Sequence, residues 1–173
     1  MRRTITLLIT LLLTVSFFSV FSTSTAQASG GNTIQIPSIG VDAPIVTLNI
    51  RAFPDGSVTW DTTAITSQVG YLNGTSWFGR GGNVVLGGHS ELAERAPGVF
   101  FRLHEVAVGD EVIVTVDGSE RRYTVTRVFE VDETDLSILN SASSERLTIM
   151  TCSRASYAGG AYPRRTVVIA VPA

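Results

Sequence analysis

The chain has no lysine: all 13 of its basic side chains are arginine. Codon bias accounts for that, and it carries no functional weight. The other scarcities are more informative. There is one cysteine, Cys152, and there are two histidines, His89 and His104. One thiol and two imidazoles fifteen residues apart match no zinc spacing, and no acidic stretch alternates like a calcium loop, so no metal is expected. There is no Gly-x-Ser-x-Gly elbow and no phosphate loop. The glycine-rich Gly79-Arg80-Gly81-Gly82 precedes a strand-like run instead of opening a helix, and reads as a turn. No cofactor is implied. No basic stripe is present, which argues against nucleic acid and against anionic lipid. Finally, no Pro/Ser-rich linker, repeat or low-complexity tract divides the chain after its first 28 residues, so 29–173 is expected to be a single domain.

Residues 1–28 read as a leader. Arg2 and Arg3 precede an uncharged apolar run from Ile5 to about Phe21, and Ala26-Gln27-Ala28 has the small residues that signal peptidase prefers. The run is also close to the lower limit for spanning a bilayer, so the alternatives are a cleaved signal peptide and an N-terminal membrane anchor. Either way an extracytoplasmic site is expected. With the leader's two arginines set aside, the remainder carries eleven arginines against 15 acidic residues, a net charge of about −4.

No long segment of 3.6-residue period occurs after the leader. Short strand-like pieces do. Thr33–Pro37 and Ala43–Thr47 are separated by Gly40, with prolines at their margins. Asn83–Gly87 is a brief apolar run of buried-strand type. Pro97 to Val106, with Phe100, Phe101 and Leu103, reads as one or two helical turns with Pro97 in the first. Val112, Val114 and Val116 alternate, Asp117-Gly118 supplies a type I′ turn, and Tyr123, Val125, Arg127 and Phe129 alternate again, which predicts a β-hairpin. Arg146–Thr151 and Arg165–Val171 are two further strands. The expected fold class is an all-β barrel with short helical insertions.

Cys152 is the first candidate for chemistry. An unperturbed thiol of pKa ~8.5 is only about three per cent thiolate at pH 7, so a nucleophilic cysteine needs a neighbouring cation or base. A packed cysteine behaving as a small hydrophobe, or an intermolecular disulfide, is the bland alternative. Placement favours chemistry, because Cys152 follows directly on a strand. If the next strand returns antiparallel, Arg164 and Arg165 come back beside it. His89 also follows a strand, after two glycines that leave space around its ring, and histidine moves protons near neutral pH. His104 sits in an amphipathic segment and is left out of the site. Alternation puts Arg165 on one face with Val167, Ile169 and Val171, and Arg164 on the other.

These residues match a known pattern. "LTIMTC" resembles the Thr-Leu-x-Thr-Cys signature of sortases, the cysteine transpeptidases of bacterial cell surfaces, with Ile149 where leucine is commoner. "TIQIPSIGVDAPI" resembles the opening strands of that family, "GGNVVLGGHS" the segment carrying its histidine, and "GVFFRLHEVAVGDEVIVTVDG" the helix and strand after it. The resemblance covers nearly all of the chain after about residue 33.

It implies a closed eight-stranded β-barrel with the active groove at one edge. Cys152 would attack the threonine carbonyl of a Leu-Pro-x-Thr-Gly type signal, His89 would move the protons, Arg165 would bind backbone and oxyanion, and Thr151 would line the pocket. Partners would be surface proteins bearing such a C-terminal signal and an amine acceptor from a peptidoglycan precursor or a pilin, with a possible membrane tether. The loop from about Val131 to Arg146 would help set the motif. A single thiol fits this chemistry, since a second cysteine would cap the nucleophile in an oxidising space. A hydrolytic cysteine endopeptidase and a non-catalytic barrel that binds surface peptides are the alternatives.

Overall fold

The computed structural model describes residues 31–173, and the leader expected over 1–28 lies outside the described residues. Ten strands occur in order: β1 Thr33–Ile36, β2 Val41–Leu48, β3 Ile50–Ala52, β4 Val58–Trp60, β5 Val69–Leu72, β6 Asn83–Gly87, β7 Glu111–Val116, β8 Ser119–Asp132, β9 Arg146–Cys152 and β10 Arg164–Pro172. Eight of them close a barrel in the order β1-β2-β5-β6-β9-β10-β8-β7, and β3 and β4 form a separate two-stranded ribbon. The pairs β2/β5 and β6/β9 are parallel, and the remaining barrel pairs are antiparallel. Helical structure among the described residues is confined to 3-10 turns of three or four residues. This is the all-β barrel expected from the strand pattern, with the eight-stranded closure that the resemblance implies.

The barrel interior is filled by alternate side chains. Ile34, Ile36, Val114, Leu86, Leu147, Ile149 and Val168 are fully buried in one cluster. Each such side chain stabilises the fold by about 1.5–3 kcal/mol. A second, smaller cluster lies on the opposite face of the same strands. It joins Leu48, Leu72 and Val85 to Ile65, with Trp60 and Met150 packed against them. This outer layer supports the site.

Three local expectations change. Alternation along β8 does not run unbroken from Tyr123 to Phe129, because a bulge shifts its register against β10 between Ile169 and Ala170. Tyr123 and Val125 face the core, whereas after the bulge Val128 packs inward and Arg127 stacks on Phe129, its guanidinium carbon 4.5 Å from the ring centre. Pro97 does not open a helical turn: it bridges Glu91, and the helical part of that segment is a 3-10 turn at Leu103–Glu105. Pro44 lies inside β2, where pairing passes from β1 to β5, so its missing N–H falls at the handover. The hairpin tip is as predicted, with φ of 50° at Asp117 and 74° at Gly118.

Candidate active site

Cys152 is the last residue of β9, and Arg165 is its direct partner on β10. Side chains paired in this way have Cβ atoms about 4.5–5.5 Å apart. Since Leu147, Ile149, Val168 and Ala170 point into the barrel, the opposite parity puts Cys152 and Arg165 on the outer face, above Met150. Arg164 turns the other way and pairs with Glu130 at 2.9 Å. β6 runs parallel to β9 on its other side, and Gly87, Gly88 and His89 leave the barrel at the same end.

His89, Thr151, Cys152 and Arg165 line one cleft of about 270 Å³, whose apolar floor comes from Leu48, Ile65, Leu72 and Met150, with Trp60 at its side. His104 is exposed, lies outside that cleft and sits 4.0 Å from Glu105.

The space beside Gly88 is not left for the imidazole. A Cβ at Gly88 would fall 2.7 Å from Val99 and 2.8 Å from Phe100, so the 99–100 segment occupies it. Gly98 lies as close to the histidine itself: a Cβ there would meet the His89 carbonyl oxygen at 2.3 Å. That carbonyl accepts the Phe100 N–H at 2.9 Å, and the Ser90 carbonyl accepts the Gly98 N–H at 2.9 Å. The backbone at His89 and Ser90 is therefore held by the 98–100 segment. Its ring Nε2 lies 3.4 Å from the Thr62 carbonyl, in the segment just after the β3–β4 ribbon.

Thr151 is buried with its hydroxyl donated to the Gly88 carbonyl at 2.7 Å, so it ties the end of β9 to the residue preceding the histidine. The Arg165 guanidinium donates through Nη1 to the Tyr162 carbonyl at 2.5 Å and through Nη2 to Glu133 at 3.0 Å. Burial pushes the Cys152 thiol above its ordinary range, the nearby Arg165 guanidinium pulls it back, and the Glu133 carboxylate pushes it up again.

Glu133, Tyr162, Thr62 and the ribbon residue Trp60 belong to the site and are not among the residues the sequence singles out. The ribbon alone carries a readable signal, the turn Pro54-Asp55-Gly56 between Ile50–Ala52 and Val58–Trp60. The cleft as built offers a half-buried sulfur, a guanidinium on the same sheet face, an imidazole on the facing loop and an apolar floor able to take an extended peptide.

A family model described as "Sortase domain" matches residues 34–173. Sortase D of Bacillus subtilis (strain 168) is 30% identical over 149 residues, an alignment covering 86% of this chain and 65% of that protein. The chain thus spans under two thirds of that relative's length. Among solved structures, a lid mutant of Sortase A from Corynebacterium diphtheriae superposes with a TM-score of 0.66 at 26% identity, covering 83% of this chain and 70% of that one. Sortase C-1 from Actinomyces oris gives 0.64 at 26% identity, covering 84% and 76%.

Proposed function

The chain belongs to the sortase family, and we propose that it is a cysteine transpeptidase that cleaves a C-terminal sorting signal of Leu-Pro-x-Thr-Gly type between threonine and glycine. The observation that carries this reading is the pairing of Cys152 with Arg165 across β9 and β10, in a cleft that His89 also lines. The thiol proton passes to His89 as the sulfur attacks the threonine carbonyl, and Arg165 steadies the oxyanion. His89 then gives its proton to the glycine nitrogen as the C–N bond breaks, leaving a thioester. An amine, from a peptidoglycan precursor or another surface protein, loses a proton to His89 as it attacks that thioester. The departing thiolate takes the proton back.

Thr151 supports the site by holding the Gly88 carbonyl beside the cleft. In this reading residues 29–173 form the catalytic domain, and 1–28 direct it across the cytoplasmic membrane as a signal peptide or anchor. The chain then works at the outer face of that membrane or in the medium beyond.

A peptide library offered with several amine acceptors tests the proposal, reading both the cleaved motif and the joined product. Joined product that vanishes in Cys152→Ala, together with vinyl sulfone labelling of Cys152 that depends on His89, supports it. Cleavage with water as the sole acceptor assigns the chain to hydrolytic endopeptidases, and a folded wild type that neither labels nor cleaves is a peptide-binding barrel. Arg165→Ala is expected to lower kcat about 100- to 1,000-fold, the usual cost of one oxyanion donor.

A further inference from the structure

The carboxylate of Glu91 lies two residues beyond His89, with a side chain only 4% exposed. A charge so enclosed is costly unless paired. Glu91 is paired three times. The Tyr162 hydroxyl donates to Oε2 at 2.6 Å, Arg95 donates through Nε and Nη2 at 3.3 and 3.4 Å, and Arg154 Nε approaches Oε1 at 3.6 Å. Arg95 belongs to the histidine-bearing loop, but the other two partners do not. Arg154 is the second residue after Cys152, and its guanidinium carbon lies 3.5 Å from the centre of the Phe101 ring. Tyr162 is the third residue before Arg165, and its carbonyl accepts the Arg165 Nη1 at 2.5 Å. One carboxylate therefore reaches each of the three chain segments that carry His89, Cys152 and Arg165.

We propose that Glu91 is a positioning residue: it fixes the 153–164 loop to the histidine loop, and through Tyr162 it sets where the Arg165 guanidinium lies relative to the Cys152 sulfur. The inference rests on the functional reading above for its kinetic consequence, not for its geometric one. Glu91 touches no reacting atom. It acts at one remove, through a phenol whose own backbone carbonyl holds the arginine, and misplacement by about 1 Å at a reacting group costs on the order of 100-fold in rate.

Two variants separate positioning from folding. Glu91→Gln keeps the shape but removes the charge that holds Arg95 and Arg154. Tyr162→Phe removes only the hydroxyl and keeps the ring packed on Tyr157, 4.9 Å away between centroids. With the transpeptidase reading in force, both variants lower kcat, Tyr162→Phe about tenfold or more and Glu91→Gln less, since its amide oxygen still accepts the Tyr162 hydroxyl, with KM and Tm close to wild type. Adding Tyr162→Phe to Glu91→Ala then produces no further loss. A second readout needs no turnover: the pH profile of Cys152 alkylation by iodoacetamide. Loosening Arg165 withdraws its pull on the thiol, so labelling at pH 7 falls about threefold, half a pKa unit. If the wild type transfers no acyl group, the functional reading fails alone and the labelling profile still decides the positioning. Labelling profiles of both variants identical to wild type, losses confined to Tm or KM, or additive losses in the double variant overturn it.

Discussion

Cys152 and Arg165 are neighbours, but the guanidinium is shared: Glu133 holds its Nη2 at 3.0 Å while pushing the thiol up. The pair is partly open to water, with Glu133 45% and Arg165 27% exposed. Such pairs are worth about 0–1 kcal/mol, so a substrate carbonyl can recruit the guanidinium at small cost. Glu133 thus orients the arginine and restrains the thiolate together. Glu133→Gln removes an anion that favours the protonated thiol, so the Cys152 pKa is expected to fall and its alkylation profile to move to lower pH. Arg165→Gln removes the opposing cation and is expected to move the profile the other way. Iodoacetamide labelling from about pH 6 to 10 reads both shifts. A Glu133→Gln profile that stays in place or moves upward removes Glu133 from control of the thiol.

The parallel pair β6/β9 sets the distance between histidine and cysteine, because Gly87, the last residue of β6, lies opposite Met150, so His89 and Cys152 each follow two residues beyond that pair. Pairing continues one residue past β6, where the Met150 carbonyl accepts the Gly88 N–H at 3.3 Å, and the Thr151 hydroxyl bonds the Gly88 carbonyl. Beyond Gly88, the histidine loop is held by the close approach of Gly98. Gly98→Ala would put a methyl 2.3 Å from the His89 carbonyl oxygen, and that backbone has to move. The expected cost is about 1–3 kcal/mol in stability, read by denaturant unfolding, with a loss of kcat on the order of 100-fold. Wild-type activity in a folded Gly98→Ala would show that the loop position is slack. Elements of this kind differ in how far their sequences announce them. β7, the first part of β8, β6 and β9 are legible because each has unbroken alternation or a continuous apolar run, and the parity of β10 separates Arg165 from Arg164 by sequence alone. β5 is not, since Val69-Gly70-Tyr71-Leu72 is buried on both faces and carries an internal glycine, so it shows no period. The bulge in β8 is a register event between two strands, and nothing in one strand's pattern marks it. Glu91 and Glu133 look like ordinary solvated charges, because Tyr162, which donates to Glu91, and Arg165, which pairs with Glu133 from β10, lie 71 and 32 residues away in sequence.

Across the whole molecule, one short pattern recurs: an aspartate with serine or threonine two residues on, at Asp55/Ser57, Asp61/Thr63, Asp132/Thr134 and Asp135/Ser137. Each aspartate accepts the backbone N–H of its partner at 2.9 to 3.1 Å, closing a turn. In all four the partner's hydroxyl, then backbone bonds or an arginine, hold the carboxyl below its ordinary value, and for Asp61 it lies at about 2. A carboxylate more acidic folded than unfolded contributes stability that is complete above its unfolded pKa of about 3.9 and is lost as the pH falls through the folded value. Tm is therefore expected to hold from neutral pH down to about 5 and to fall below about 4. At the alkaline end the absence of lysine matters, since no ammonium side chain titrates there. The groups that do titrate include Tyr123, a fully buried phenol donating to Glu145 at 2.6 Å, whose pKa burial and that carboxylate raise well above its ordinary value. A raised pKa has the opposite sign: its contribution is present below the unfolded value of about 10 and is lost as the pH rises toward the folded one. Tyr123→Phe should destabilise the protein by about 1.5–3 kcal/mol near neutral pH, the worth of a hydrogen bond to a charged group. Above about pH 10 that gap should close, because the wild-type phenol then ionises on unfolding and the phenylalanine does not. Urea unfolding of both proteins at about pH 7 and about pH 11 measures it, and a gap of equal size at the two values shows that the Tyr123 proton is not held by the fold.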